Sequence, residues 1–369
     1  MTWRVIWPAA LLAVNACAVV FRPGPASQEH SWRAYLGSSE RATPVPATLA
    51  ADPAPLWRVK VSRGVVGAPA LTEDVVALSR QDRTVMLLDR RSGASLWQRN
   101  LGQDLGSGPL VDYDRVYVAT QQADGRVMAL DLARGRTLWS RKVGDVVAPL
   151  AAHDTQLYAA TLGGEVVALQ TTSGDLLWRT RVTGAVRAAP LLAGDALIVA
   201  TTEDSLYVLD RSSGAVRARR ATEGAVLAAP ALADSVVLVG TATGRLEACD
   251  TATLAARWSV EAGSGIVGAV AVQRDTAFVV TEAGELWRVP LAAPDRAVKL
   301  ALGIVTRAGP TPVAGGVLLV GVDGRLRLVD GAGATRWAAR LRPPVVAPPL
   351  VDGAFILAAS ERGEVVAFR

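Results

Sequence analysis

From residue 56 onward the chain alternates short apolar runs with polar turns. Residues 185–220 show the pattern: APLL, the turn AGD, ALIVAT, the turn TED, SLYVLD, the turn RSSG, then AVRARR. Each run is four to six residues long, rich in Val, Ile and Leu, and bounded by Gly, Asp, Ser or Thr, which predicts strands joined by tight turns. No stretch of this region keeps a helical period long enough to supply a crossover helix, which argues against a βαβ barrel. One composite unit recurs as RTVMLLDRRSGASLW at 83–97, GRVMALDLARGRTLW at 125–139 and GEVVALQTTSGDLLW at 164–178. Degenerate copies follow at 205–216 and 244–258.

Two markers count the units. A Trp after the turn stands at Trp57, Trp97, Trp139, Trp178, Trp258 and Trp337, with Ala218 and Val298 in the two skipped places. A Pro opening the next run stands at Pro69, Pro109, Pro149, Pro190, Pro230, Pro310 and Pro349, with Val270 in the one vacancy. Both give eight units of about 40 residues, the length of a four-stranded propeller blade. We place the Pro in the first strand, the inner edge of each blade, where a missing N–H is tolerated. The last unit stops after Val365–Phe368, before any turn or Trp, whereas Leu56–Val61 matches Leu138–Val143. The expected fold is therefore all-β: an eight-bladed propeller of four-stranded antiparallel blades, closed by the N-terminal strand, which completes the C-terminal blade. Closure removes two open sheet edges at once.

The chain has 369 residues, half of them hydrophobic, and a formal charge of +5 with interspersed signs, so neither a nucleic-acid patch nor a polybasic membrane patch is indicated. Its start divides differently. Residues 1–16 read as a signal peptide, with Arg4, the apolar run Val5–Val14, and Val14-Asn15-Ala16-Cys17 in the form of a lipoprotein box. Cys17 is the lipid-attachment candidate; cleavage near Ala16 or Ala18 by an ordinary signal peptidase, or an uncleaved anchor, are the alternatives. Residues 17–55, rich in Pro, Ala and Ser, read as a tether, with Trp32 and Leu36-Gly37 able to dock on the fold. Residues 56–369 form the propeller.

Candidate chemistry is sparse. Most Asp and Glu residues fall in turns, where they shape backbone. His153 is placed in a surface turn equivalent to that of Tyr113, and His30 lies in the tether, so neither has ligand-spaced neighbours for a metal or a triad. Cys249 stands where other units have Leu and reads as a small buried residue. Trp287 is off the Trp marker, in a unit that also has Pro290 in the Asp place; it marks either a binding face or irregular packing. The outer strands carry Arg58, Lys60, Arg99, Arg141, Lys142, Arg179, Arg181, Arg217, Arg219 and Arg220, which we read as protection of exposed edges rather than a ring for acidic ligands.

The recurring apolar-Asp-x-x-(Ser/Thr)-Gly-x-x-Leu-Trp resembles the pyrroloquinoline-quinone (PQQ)-type β-propeller repeat over residues 56–369. With the lipoprotein box, the chain is similar to the family's outer-membrane lipoproteins, which serve β-barrel protein assembly. That resemblance implies the six Trp residues as blade-docking groups, no catalytic residue, no cofactor and no metal. It implies a monomeric, non-enzymatic scaffold for protein partners, lipid-anchored on the periplasmic side of the outer membrane, with secretion or inner-membrane anchoring as alternatives. The enzymes sharing the repeat imply a second reading, a PQQ-dependent oxidoreductase, but they carry an adjacent Cys pair that this chain lacks. A secreted propeller binding a small ligand or glycan is a third.

Overall fold

The computed structural model describes residues 47–369, Ala123 and Val346 excepted. The signal peptide, Cys17, Trp32, Leu36-Gly37 and the tether up to residue 46 lie outside the described residues. Eight four-stranded antiparallel sheets follow one another around a ring. Blade 1 consists of Val65–Leu71, Val75–Arg80, Thr84–Asp89 and Ser95–Asn100, from the axis outward. Blades 2 to 7 repeat this order, beginning at Leu110, Ala151, Leu191, Ala231, Ala271 and Thr311. Blade 8 takes Leu350–Asp352, Phe355–Ala359 and Glu364–Phe368 from the C-terminus and Pro55–Lys60 from the other end. In that closing pair Trp57 stands opposite Ala367 and Lys60 opposite Glu364. The only helix among the described residues is a 3₁₀ turn, Pro294–Arg296, in blade 6.

The marker Pro is not inside the first strand as expected, except for Pro69. In blades 2, 4, 5, 7 and 8 the strand starts with the following residue. These inner strands are only three residues long, because eight of them must converge on one axis. The residues before the Pro, or before Val270 in its place, are small in seven blades: Ala68, Gly108, Ala148, Ala189, Ala229, Ala269 and Gly309; blade 8 has Pro348. At Gly108 a Cβ would lie 1.9 Å from the Ala68 carbonyl oxygen, so neighbouring inner strands meet backbone to backbone and only glycine fits.

Hydrophobic side chains fill the spaces between blades, and the Trp residues plug their outer ends. Trp57 Nε1 donates to Arg90 O (2.8 Å), Trp97 to Leu132 O (2.8 Å), Trp139 to Thr171 O (2.9 Å) and Trp178 to Arg211 O (2.9 Å), always in the next blade. Each ring lies over a turn glycine with positive φ. A Cβ on Gly93, Gly135, Gly174 or Gly214 would come within 2.8 Å of the indole. Asp and Gly therefore do more than shape a turn; the glycine also gives the tryptophan of the preceding blade room to lie flat. Trp337 of blade 7 lacks such a turn, since blade 8 ends at Arg369. Its Nε1 donates instead to Pro53 O at 3.1 Å. Residues 47–54, read from composition as the end of a linker, thus lie against the propeller. Ala54 and Arg369 exchange two backbone hydrogen bonds of 2.9 Å, and Ala47 O accepts from Ala314 N at 2.9 Å. Ala47 and Leu49 pack on the core shared by blades 7 and 8.

Candidate interaction face

The ring has two unlike ends. At the turn face lie the first and third hairpin turns of each blade. At the loop face lie the second hairpin turn and the connection from one blade's outer strand to the next blade's inner strand. The loop face is pinned by repeated bonds. Gln121 N, Leu162 N, Thr202 N and Glu282 N each donate at 2.9 Å to Asp104 O, Asp145 O, Ala185 O and Gly265 O respectively. In blades 2, 3, 5 and 8 a hydroxyl also closes the second hairpin: Thr120 Oγ1 accepts from Arg126 N (2.8 Å), Thr161 from Glu165 N (2.9 Å), Thr241 from Arg245 N (3.0 Å) and Ser360 Oγ from Glu364 N (3.1 Å). This Thr, at 120, 161, 201, 241 and 281, is a third marker with the same period that the Trp and Pro markers overshadow. In blade 1 Arg80 takes its place and, although 4% exposed, donates to Ser62 O at 2.8 Å and pairs with Asp82.

Each connection buries the residue just after its pinning carbonyl: Val65, Leu105, Val146, Val186, Val226, Ile266, Thr306 and Val345. Of the residues that follow these, Arg187, Leu227 and Arg307 are exposed, Leu227 at 38%. Val305, which precedes Thr306, is 55% exposed. Val66, Val147 and Val267 are half-buried. Arg187 and Arg307 have no hydrogen-bond or ion-pair partner among the described residues. The loop face thus offers rigid backbone, exposed aliphatic side chains and unpaired cations, Arg187 and Arg307 among them, which fits recognition of an apolar surface carrying carboxylates.

Reactive groups are placed elsewhere. Cys249 is fully buried between blades 4 and 5, and burial pushes its thiol up, opposed by the nearby Arg220. Arg220, read as edge protection, turns inward. It donates to Cys249 Sγ and lies 3.1 Å from Glu247 Oε2, which is out of hydrogen-bond alignment. Most other outer-strand cations also pair, among them Arg58 with Glu364, Arg141 with Asp175 and Arg257 with Asp250. His153 corresponds to Asp112, the last residue of the inner strand, not to Tyr113; the turn residue matching Tyr113 is Asp154, and both have positive φ. The half-buried imidazole sits 2.9 Å from Asp154. Trp287 lies between blades 5 and 6 under the Lys299 ammonium, 5.8 Å from the ring centroid, so the packing reading accounts for it. No group of three or more His, Cys, Asp or Glu residues converges to hold a metal among the described residues.

This architecture defines a closed eight-bladed propeller built from the PQQ-type repeat. A family model described as outer membrane protein assembly factor BamB matches residues 41–151, 123–217, 192–286 and 279–369. The chain belongs to that family. Among curated proteins no relative matches. Of solved structures, BamB from Moraxella catarrhalis is similar with a TM-score of 0.73 at 16% identity, covering 86% of this chain and 97% of that one. Quinohemoprotein alcohol dehydrogenase from Comamonas testosteroni is similar with a TM-score of 0.75 at 15% identity, covering 93% and 81%. The alcohol dehydrogenase ADHIIG from Pseudomonas putida HK5 gives 0.75 at 12% identity, covering 92% and 80%. At these identities the structural likeness speaks for the fold alone.

Proposed function

We propose that this chain is a non-enzymatic scaffold of outer-membrane β-barrel protein assembly, lipid-anchored through Cys17 on the periplasmic side and docking protein partners on its loop face. The observation that carries this reading is the loop face itself, where exposed Leu227 and Val305 flank unpaired Arg187 and Arg307 on a backbone pinned in every blade. Membership of the BamB family supports the setting. A rigid platform loses little entropy on docking, so a few such residues can supply the affinity.

A quinone site does not fit the residues present. The chain's two cysteines, Cys17 and Cys249, cannot form an adjacent pair, and no group of three or more His, Cys, Asp or Glu residues converges among the described residues. Reconstitution with PQQ and Ca²⁺ that gave alcohol oxidation would revive that alternative.

The test is in vivo photo-crosslinking from residues 227 and 305, with residue 113 on the turn face as control. Capture of an outer-membrane barrel protein with periplasmic domains from the loop face supports the reading. Capture from residue 113 alone, or none under conditions that trap other assembly components, contradicts it. Independently, Cys17→Ala is expected to release the protein from the membrane fraction.

A further inference from the structure

Three segments meet on the loop face at the ring seam. Residues 340–344 connect blade 7 to blade 8, residues 360–363 form the second hairpin turn of blade 8, and residues 60–64 connect blade 8 to blade 1. Val61 N donates to Gly363 O at 2.7 Å and Glu361 N to Pro344 O at 3.0 Å, so the hairpin is tied to the connections on both sides. The approach is close. A Cβ on Gly64 would lie 1.6 Å from Glu361 O, and one on Gly363 would lie 2.5 Å from Arg63 O. Buried Arg80 fixes residues 60–64 further through Ser62 O.

These segments carry Lys60, Arg63, Arg340, Arg342 and Arg362, all exposed and none with a side-chain partner among the described residues. The acids beside them do not compensate. Glu364 is buried, pairs with Arg58 and accepts from Arg342 N, which leaves half-buried Glu361. Other cations of the same face are neutralised: Arg83 by Asp104, Lys142 by Asp124, Arg245 by Glu223 and Glu261, and Arg325 by Asp323. Like charges gathered on adjoining rigid loops repel one another, and an anionic partner relieves that cost. Across the axis the sign changes. Blades 4 to 6 expose Glu203, Asp204, Glu223, Glu261 and Glu282 on the loop face, with Arg181, Arg187 and Arg245 offsetting them in part.

A single phosphate is held best by donors that converge on one point. The seam cations are instead distributed over three segments, which suits several carboxylates spaced along one chain. We propose that the seam loops of blades 7, 8 and 1 bind an extended, carboxylate-rich segment of a protein partner. The acids of blades 4 to 6 repel the same segment, so the two sides of the loop face give the partner one orientation across the axis. The proposal rests on the loop face being the docking side, and adds the chemistry and direction of what docks there.

The test is fluorescence anisotropy of a labelled peptide of alternating Glu and Ser, titrated with the full-length protein in non-ionic detergent at about 0.15 M salt. The peptide is expected to bind. Arg63→Glu with Arg340→Glu and Arg362→Glu should weaken binding about tenfold or more. Arg91→Glu with Arg134→Glu, exposed cations of the turn face, should leave it unchanged, and circular dichroism verifies that each variant is folded. No binding by the parent protein, equal binding by the seam variant, or an equal loss in the turn-face variant overturns the proposal. Polyphosphate that binds through the seam while the peptide does not assigns the site to phosphate and overturns it as well. The assay contains no assembly partner, so its failure is distinct from a failed capture at residues 227 and 305.

Discussion

The guanidinium of Arg288 donates to the Gly331 carbonyl at 3.0 Å, where four other blades present that carbonyl to a tryptophan indole. Blade 6 has Val298 in the Trp place, and Arg288 stands directly opposite it in the sheet. An arginine from the neighbouring strand has taken over the hydrogen bond of the missing tryptophan. Arg288→Met is accordingly expected to cost about 1 kcal/mol. Val298→Trp should restore most of that in the Arg288→Met background while being unfavourable alone. Urea denaturation of the four proteins checks it, and additive effects would remove the explanation.

A second exchange lies between blades 4 and 5. Leu254, buried with φ +58°, occupies the turn-glycine place, and Ala218 occupies the Trp place; both belong to one apolar cluster. Leu254→Gly should cost about 2–5 kcal/mol through the cavity it leaves. Ala218→Trp should cost about 1–3 kcal/mol through overpacking. Combined, they should cost less than either sum predicts, read as the denaturation midpoint.

Where both partners are present, the glycine cannot change. Gly214 has φ +74°, and a Cβ there would lie 2.5 Å from the Trp178 ring. Gly214→Ala is expected to destabilise by roughly 2–4 kcal/mol, from left-handed strain plus displacement of the ring. A thermal midpoint equal to that of the unchanged protein would contradict the interlock.

At the ring seam, Trp337→Phe removes the indole donor to Pro53 O. About 1–3 kcal/mol should be lost. Amide exchange of Ala54 and Arg369 should quicken more than exchange in blades 2 to 4, because those two residues pair across the closure.

The third hairpin turns also predict an acid sensitivity. The Ser212 and Ser213 hydroxyls and Arg217 hold the Asp210 carboxyl well below its ordinary range, and Arg257 with Thr253 does the same at Asp250. A carboxyl depressed in the folded state contributes stability that is complete above the unfolded value of about 3.9 and is lost as pH falls below it. Denaturation midpoints should therefore fall below about pH 4, and less steeply in Asp210→Asn with Asp250→Asn. Identical slopes would refute this origin.

Much of the fold is legible in the chain because a repeat writes the same local rules eight times. The period of the Trp and Pro markers fixes the blade number, and the match of Leu56–Val61 to Leu138–Val143 fixes the closure seen in the pairing of Trp57 with Ala367. Strand and turn chemistry act over a few residues, so they are written locally. What covers Gly331, why Leu254 tolerates a glycine position, and how residues 47–54 pack across blades 7 and 8 depend on groups that meet only after the ring closes. The loop face is equally hidden. Arg187 and Arg307 lie 120 residues apart in sequence, and neither differs locally from the cations that pair. The sequence alone determined the architecture, since periodic backbone and packing preferences are short-ranged. Only the tertiary structure decided which side chains remain unpaired and exposed, because that depends on neighbours brought from distant blades.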